Sequence, residues 1–181
     1  MPTVVQCAGC VQPCDDHYDL EMDFIKNNME NNSKSDNFLF WQRWLFYTSI
    51  LFAFAGIVFA FFGNNILFQP YNRMLAQVFW QSSEFPLQAD LFRAFIYAPL
   101  GATIACCYIL LAFIARYPFK EKQLWARNAI ITAFSFWFLI DSSMCIYFGV
   151  YPQIYLINAF SITVKALPII FTWKSFKRST Y

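Results

Sequence analysis

Charge is scarce in this chain. Only 13% of its 181 residues are Asp, Glu, Lys or Arg, against about a quarter in ordinary soluble domains. Hydrophobic residues make up 59% and aromatic residues 22%. A chain of this length leaves much of its surface exposed when folded, so one soluble core cannot hide that much apolar area. The composition argues against a soluble enzyme and a disordered protein, and points to lipid as the solvent. Histidine is scarcer still. The single one, His17, lies outside every apolar run. The apolar part therefore has no histidine for a metal site, a bis-histidine haem or a Ser-His-Asp triad. A phosphate loop, HExxH, GxSxG and any cofactor fingerprint are also missing. These absences lead away from an enzyme, and no catalytic residue or cofactor is assigned. A formal net charge of +2 is too small to imply nucleic acid. No secretory signal is expected, because the first apolar run begins near Phe38 and the residues before it are acidic. Pro2 after Met1 offers no myristoylation glycine, and Arg178-Ser-Thr-Tyr181 is no prenylation box.

Long apolar runs are what the chain does have. A bilayer core of ~30 Å needs about 20 apolar residues in a helix, and four segments qualify: Trp44–Phe62, Phe95–Ala115, Ala129–Gly149 and Ile154–Trp173. The first two are uncharged, the third holds Asp141 and the fourth Lys165. The expected fold is an all-α membrane protein, a four-transmembrane-helix bundle occupying residues 38–175. Lysines and arginines orient it. With four spans, the N-tail, the connection between spans two and three, and the C-tail share one side. That side carries Lys26, Lys34, Arg43, Arg116, Lys120, Lys122, Arg127, Lys174, Lys177 and Arg178, while the other carries only Arg73 and Arg93. The expectation is N-in, C-in, with residues 176–181 a basic inner tail. Trp41, Trp44, Trp125, Tyr117, Tyr151 and Trp173 fall near span ends, where amphipathic rings anchor.

Between spans one and two, Pro70 suits a first helical position. Tyr71, Met74, Leu75, Val78 and Phe79 then recur at helical spacing, with Asn72, Arg73 and Gln77 on the other face. This predicts a short amphipathic interfacial helix. Spans three and four are expected to form a hairpin at Val150-Tyr151-Pro152. Ser49, Ala53, Gly56 and Ala60 line one face of span one, and Ala94, Ala98, Gly101, Ala102 and Ala105 one face of span two. Small residues let helices approach closely in lipid, so these two spans should pack together.

Residues 1–37 hold seven acids against two lysines, hence −5, and the rest of the chain carries +7. This tail is rich in Asn and acids and is expected to be disordered. Cys7, Cys10, Cys14 and His17 supply donors suited to tetrahedral zinc. Their crowding and the lack of a second ligand pair favour free or acylated thiols over metal. Cys106, Cys107 and Cys145 lie in apolar runs as small hydrophobes.

Asp141 and Lys165 carry the chemistry. Each costs roughly 2.5–3.5 kcal/mol at a helix centre on insertion scales, and measuring from the middle of each apolar run puts them ~5 Å apart in depth. They are expected to pair, which would keep both ionised. Asn158, Ser161, Lys165, Pro168 and Thr172 share one helix face, and Ser142 and Ser143 adjoin Asp141. The expected site is a polar seam of Asp141, Ser142, Asn158, Ser161 and Lys165. It would be either a structural ion pair or a ligand, proton or ion site.

Several strings resemble a family of small, uncharacterised four-span bacterial membrane proteins. They are Leu67-Phe-Gln-Pro70-Tyr-Asn72, Val78-Phe-Trp80, Gly101-Ala-Thr103, Leu111 to Lys120, Trp125-Ala126, Trp137 to Ser142 and Tyr147 to Tyr151. The resemblance covers about residues 40–175 and implies a bacterial inner membrane, with no activity or catalytic residue to carry over. By span count the chain is similar to DoxX-like and sterol-isomerase-related groups, but the acid-rich constellation of a sterol isomerase is missing. The expected function is a binding or accessory membrane subunit, with a small polar-lined cavity for a lipid or small amphipathic molecule. The alternatives are proton- or ion-coupled transport through the Asp141/Lys165 seam, which needs a homo-oligomer or larger membrane complex, and a membrane-embedded enzyme.

Overall fold

The computed structural model describes residues 15–176, which form helices and their connections with no strand among them. Cys7, Cys10, Cys14 and the basic residues Lys177 and Arg178 lie outside the described residues. The chain divides into two compact units, Met1–Asn37 and Phe38–Tyr181.

In the first unit, residues 15–37 belong to helix α1 (Asp15–Phe62). The sequence reads as a disordered tail here, and the described part of it, residues 15–37, is helical. Acidity and low apolar content suggested an unstructured tail, yet residues 15–55 contain neither glycine nor proline. Nothing in that stretch breaks a helix once begun.

The second unit holds the rest of α1, a 3₁₀ turn (Ile66–Phe68), α2 (Gln69–Trp80), α3 (Leu87–Arg116), α4 (Leu124–Phe148) and α5 (Tyr151–Ser175). Within α5, Ile154–Ala159 is π-helical and Trp173–Ser175 is a closing 3₁₀ turn. Four helices are long and apolar enough to cross a membrane: Ser35–Phe62 of α1, α3, α4 and α5. Only 17–33% of the most apolar stretch of each is buried inside the chain. Phe61, Phe95, Tyr147 and Leu156 are each more than two-thirds exposed. Apolar area this extensive is far beyond the isolated patches of a soluble monomer.

The helices overrun the apolar runs from which they were expected. α3 begins eight residues before Phe95, with Pro86 just outside it and Asp90 in its first turn, and it continues through Pro99. α4 ends at Gly149, whose left-handed φ of +75° lets its amide turn back to Cys145 and Ile146. Pro152 then opens α5 within its first turn, where a missing amide costs nothing. The hairpin is therefore as tight as expected.

The small-residue stripes meet. A Cβ on Gly101 would lie 2.5 Å from the Gly56 carbonyl oxygen and 2.6 Å from the Ala60 nitrogen, and one on Gly56 would lie 2.8 Å from the Ala105 nitrogen. Backbone thus touches backbone between α1 and α3. Toward the α3–α4 connection, Phe38, Phe119 and Phe176 pack ring against ring, with centroids 4.9–6.1 Å apart. They join Leu45, Leu111, Ala115, Ile130 and Ile169 in the main apolar core. Gln42 Nε2 donates to the Ala115 carbonyl at 2.9 Å and fixes α1 against α3 at that level. Trp41 stacks flat on Phe171 at 4.6 Å, so one of the expected anchoring rings also joins α1 to α5.

Candidate functional site

The inward face of α5 carries four buried polar residues among its apolar ones. Asn158 is 0% exposed, Ser161 5%, Lys165 2% and Thr172 1%. The expected spacing along this helix therefore does place these residues on one buried face. They do not, however, form a single seam with Asp141.

Lys165 sits in an aromatic box. Its Nζ lies 4.8 Å from the ring centroids of Phe52 and Tyr108, 4.6 Å from Phe134 and 5.9 Å from Trp137. Phe52 belongs to α1, Tyr108 to α3, and Phe134 and Trp137 to α4, so the four long apolar helices converge on one ammonium. The ammonium donates to the Ser161 carbonyl at 2.9 Å and to the Ser161 hydroxyl. That hydroxyl also meets the Tyr108 hydroxyl at 3.2 Å. Two of the three ammonium donors are thus used within one turn of its own helix, and ring faces meet the remaining charge.

No carboxylate stands within ion-pair distance of Lys165 among the described residues. The expected Asp141–Lys165 pair is absent, and the reason is register. The turn at Gly149 sets Asp141 opposite Asn158 and Lys165 beside Phe134. Asn158 and Lys165 are seven residues apart, about two turns or ~10 Å of rise. Taking the middles of two apolar runs as level halved that offset. Counting outward from the hairpin turn would have found it.

Asp141 instead anchors a second polar centre near the α4–α5 turn. It is half-buried. Its Oδ2 accepts from Asn158 Nδ2 at 2.6 Å, Gln153 Nε2 at 3.3 Å and, more weakly, Cys145 Sγ at 3.7 Å. Oδ1 accepts from no described residue, and it is not enclosed. Asn158 Nδ2 also donates to Ser142 Oγ at 3.2 Å, while Asn158 Oδ1 is buried without a partner. The π-helical stretch of α5 carries Asn158, a local geometry common at functional sites. Ser143 is exposed and bonds only to the Leu139 carbonyl.

Gln153 and Tyr71 join this centre without having been expected there. The Tyr71 hydroxyl of α2 donates to Gln153 Oε1 at 3.1 Å, giving the order Tyr71, Gln153, Asp141, Asn158, Ser142. Burial holds the Tyr71 phenol well above its usual 10.0, so it remains a donor in ordinary buffers. Asn72, expected on the polar face of α2, is buried instead. Its Nδ2 donates to the Gly63 carbonyl at 2.9 Å and its Oδ1 accepts from Tyr97 at 2.8 Å. Asn72 and Ala76 form the most enclosed line of α2, flanked by the apolar residues named for it. Hydrophobic periodicity carried no signal for this, because a buried amide reads as polar until its partners are known.

No metal-holding group of His, Cys, Asp and Glu occurs among the described residues. The chain is thus an all-helical protein with four helices able to cross a membrane and separate polar centres at Lys165 and Asp141. Compared with known proteins, it matches no family model, no curated protein and no solved structure.

Proposed function

We propose that the chain is a four-span helix bundle integral to a membrane, a bacterial inner membrane by resemblance. Both termini face inward, and α2 is the interfacial helix at the outer mouth. We infer that it acts as a non-catalytic binding or accessory subunit whose ligand docks at Asp141. Support for the topology comes from the exposed apolar helices and the ten-to-two split of basic residues.

One observation carries the functional reading: the half-used carboxylate. Oδ2 of Asp141 collects three donors and Oδ1 accepts from no described residue, on a helix long and apolar enough to cross a membrane. An intramembrane acid is expensive, and a carboxylate only accepts, so the group it awaits is a donor. The ligand is accordingly a lipid or small amphipathic molecule whose head carries a hydroxyl or ammonium. Lys165, with two of its three donors used and rings packed around it, is the structural counterpart of this site.

Native mass spectrometry from mild detergent tests the reading. The expected result is a stoichiometric ligand on the wild type, with occupancy falling about tenfold in Asp141→Asn, the loss of one charge-assisted bond, and unchanged in Lys165→Met. A ligand-free wild type, or equal occupancy in both variants, overturns it. Transport is the second reading, favoured by the Tyr71–Gln153–Asp141 connection. Its mark is pH-dependent flux in proteoliposomes that Asp141→Asn abolishes.

A further inference from the structure

Far from the Asp141 centre, a groove of ≈ 420 Å³ runs between α1 and α3, lined by Phe46, Ile50, Ile109, Phe113, Arg116 and Tyr117 among others. Its apolar walls end at a cation. The Arg116 guanidinium lies over the Phe46 ring, with Cζ 5.6 Å from the centroid, and so bridges the two helices. A second cation stands at the same level. Gln42 Nε2 bonds to the Ala115 carbonyl at 2.9 Å, which brings their chain neighbours Arg43 and Arg116 to one height. Arg43 is three residues before Phe46 and seven before Ile50, on their side of α1. Both arginines are exposed, and neither has a carboxylate within ion-pair distance among the described residues.

The connection that follows Arg116 adds more cation than anion. Lys120, Lys122 and Arg127 follow in the α3–α4 connection and the start of α4, where Glu121 is the one acid. Lys122 and Arg127 are drawn to the Phe38 and Trp173 rings, at 4.8 and 4.0 Å. Arg116 thus lines the cationic end of the apolar slot, and Arg43 stands one turn before Phe46 on the same face of α1.

We propose that this groove seats one anionic phospholipid, its phosphate between Arg43 and Arg116, its glycerol region by Tyr117, and an acyl chain along Ile50, Ile109 and Phe113. Charge complementarity selects the occupant. An uncharged amphiphile leaves two guanidinium groups unmatched at the membrane surface, whereas a lipid phosphate accepts from both in the forked geometry that arginine offers. Basic pockets between spans at the inner leaflet bind anionic headgroups on the same principle. The site rests on the membrane reading but not on Asp141.

The test uses the full-length protein in detergent, equilibrated with equal amounts of phosphatidylglycerol and phosphatidylcholine, with bound lipid read by native mass spectrometry. One phosphatidylglycerol per chain is expected to be retained in preference. The Arg43→Gln, Arg116→Gln double variant should lose that preference by an order of magnitude or more. Arg43→Lys with Arg116→Lys should keep most of it, and Lys120→Gln all of it. Ile109→Trp, which fills the groove and leaves both arginines, should displace the lipid. That variant decides the matter if the double variant fails to fold. Equal retention of the two lipids, or an unchanged preference in the double variant, overturns the proposal. Displacement by millimolar inorganic phosphate as effective as by added phosphatidylglycerol also overturns it, since the site would then be one for free phosphate. Resistance of the protein to alkaline carbonate extraction checks membrane integration separately. A failed lipid preference is thereby distinguished from a failed membrane reading.

Discussion

Lys165 and Asp141 are the only charges within the apolar stretches, and they solve the same problem differently. The lysine is satisfied by Ser161 and four ring faces. The aspartate is satisfied by amides on one oxygen and left open on the other. Because they do not touch, removing one leaves the other's surroundings unchanged. The effects of Asp141→Asn and Lys165→Met on unfolding free energy in detergent should therefore add within about 0.5 kcal/mol, as for separated sites. A coupling of ~1.5 kcal/mol or more in that double-mutant cycle would restore the ion pair. The identities of Asn158, Ser161 and Lys165 as one buried face were legible from their spacing. Their partners were not, because Tyr108, Phe52 and Trp137 look like any other membrane aromatic until packing sets them around a cation.

Helix pairing is decided by backbone proximity at two glycines and by handedness at a third. Gly56 and Gly101 bring α1 and α3 into backbone contact, so a methyl on Gly101 meets main chain that cannot rotate away. Gly149 has open space around it, and its φ of +75° is the whole of its constraint. Gly101→Ala is therefore expected to cost about 3 kcal/mol, at the upper end for overpacking, and Gly149→Ala about 1 kcal/mol, the strain of a left-handed residue. Thermal unfolding of the two variants in detergent checks the order, and a larger loss at Gly149 would refute it. At this scale the sequence spoke clearly through its small-residue stripes and hairpin signals. It did not show the reach of α1 through residues 15–37: composition there reads as disorder, while the lack of glycine and proline leaves a helix open to continue.

The second unit, from Phe38 on, has unlike ends. The α3–α4 end is basic around an aromatic core, and the α4–α5 end carries the amides and Asp141. If lysine and arginine set orientation, the basic end faces inward. In a background freed of native cysteines, Ser83→Cys should react with a membrane-impermeant maleimide on intact cells, and Lys120→Cys only after lysis. The reverse pattern would invert the topology and, with it, the leaflet of the lipid groove.

The sequence alone determined the class of element and the count of long apolar helices, because hydrophobic runs, glycines and prolines act locally. It also determined which two charges stand out, because a lone ionisable residue in an apolar run is conspicuous without any fold. Only the tertiary structure decided that those charges stay apart. Their separation is a sum of residues counted from one tight turn, and their stabilisation comes from rings and amides on helices distant in the chain. Long-range packing also made Asn72 inward-facing and set Gln42 on the Ala115 carbonyl, since neither relation is encoded in any single stretch.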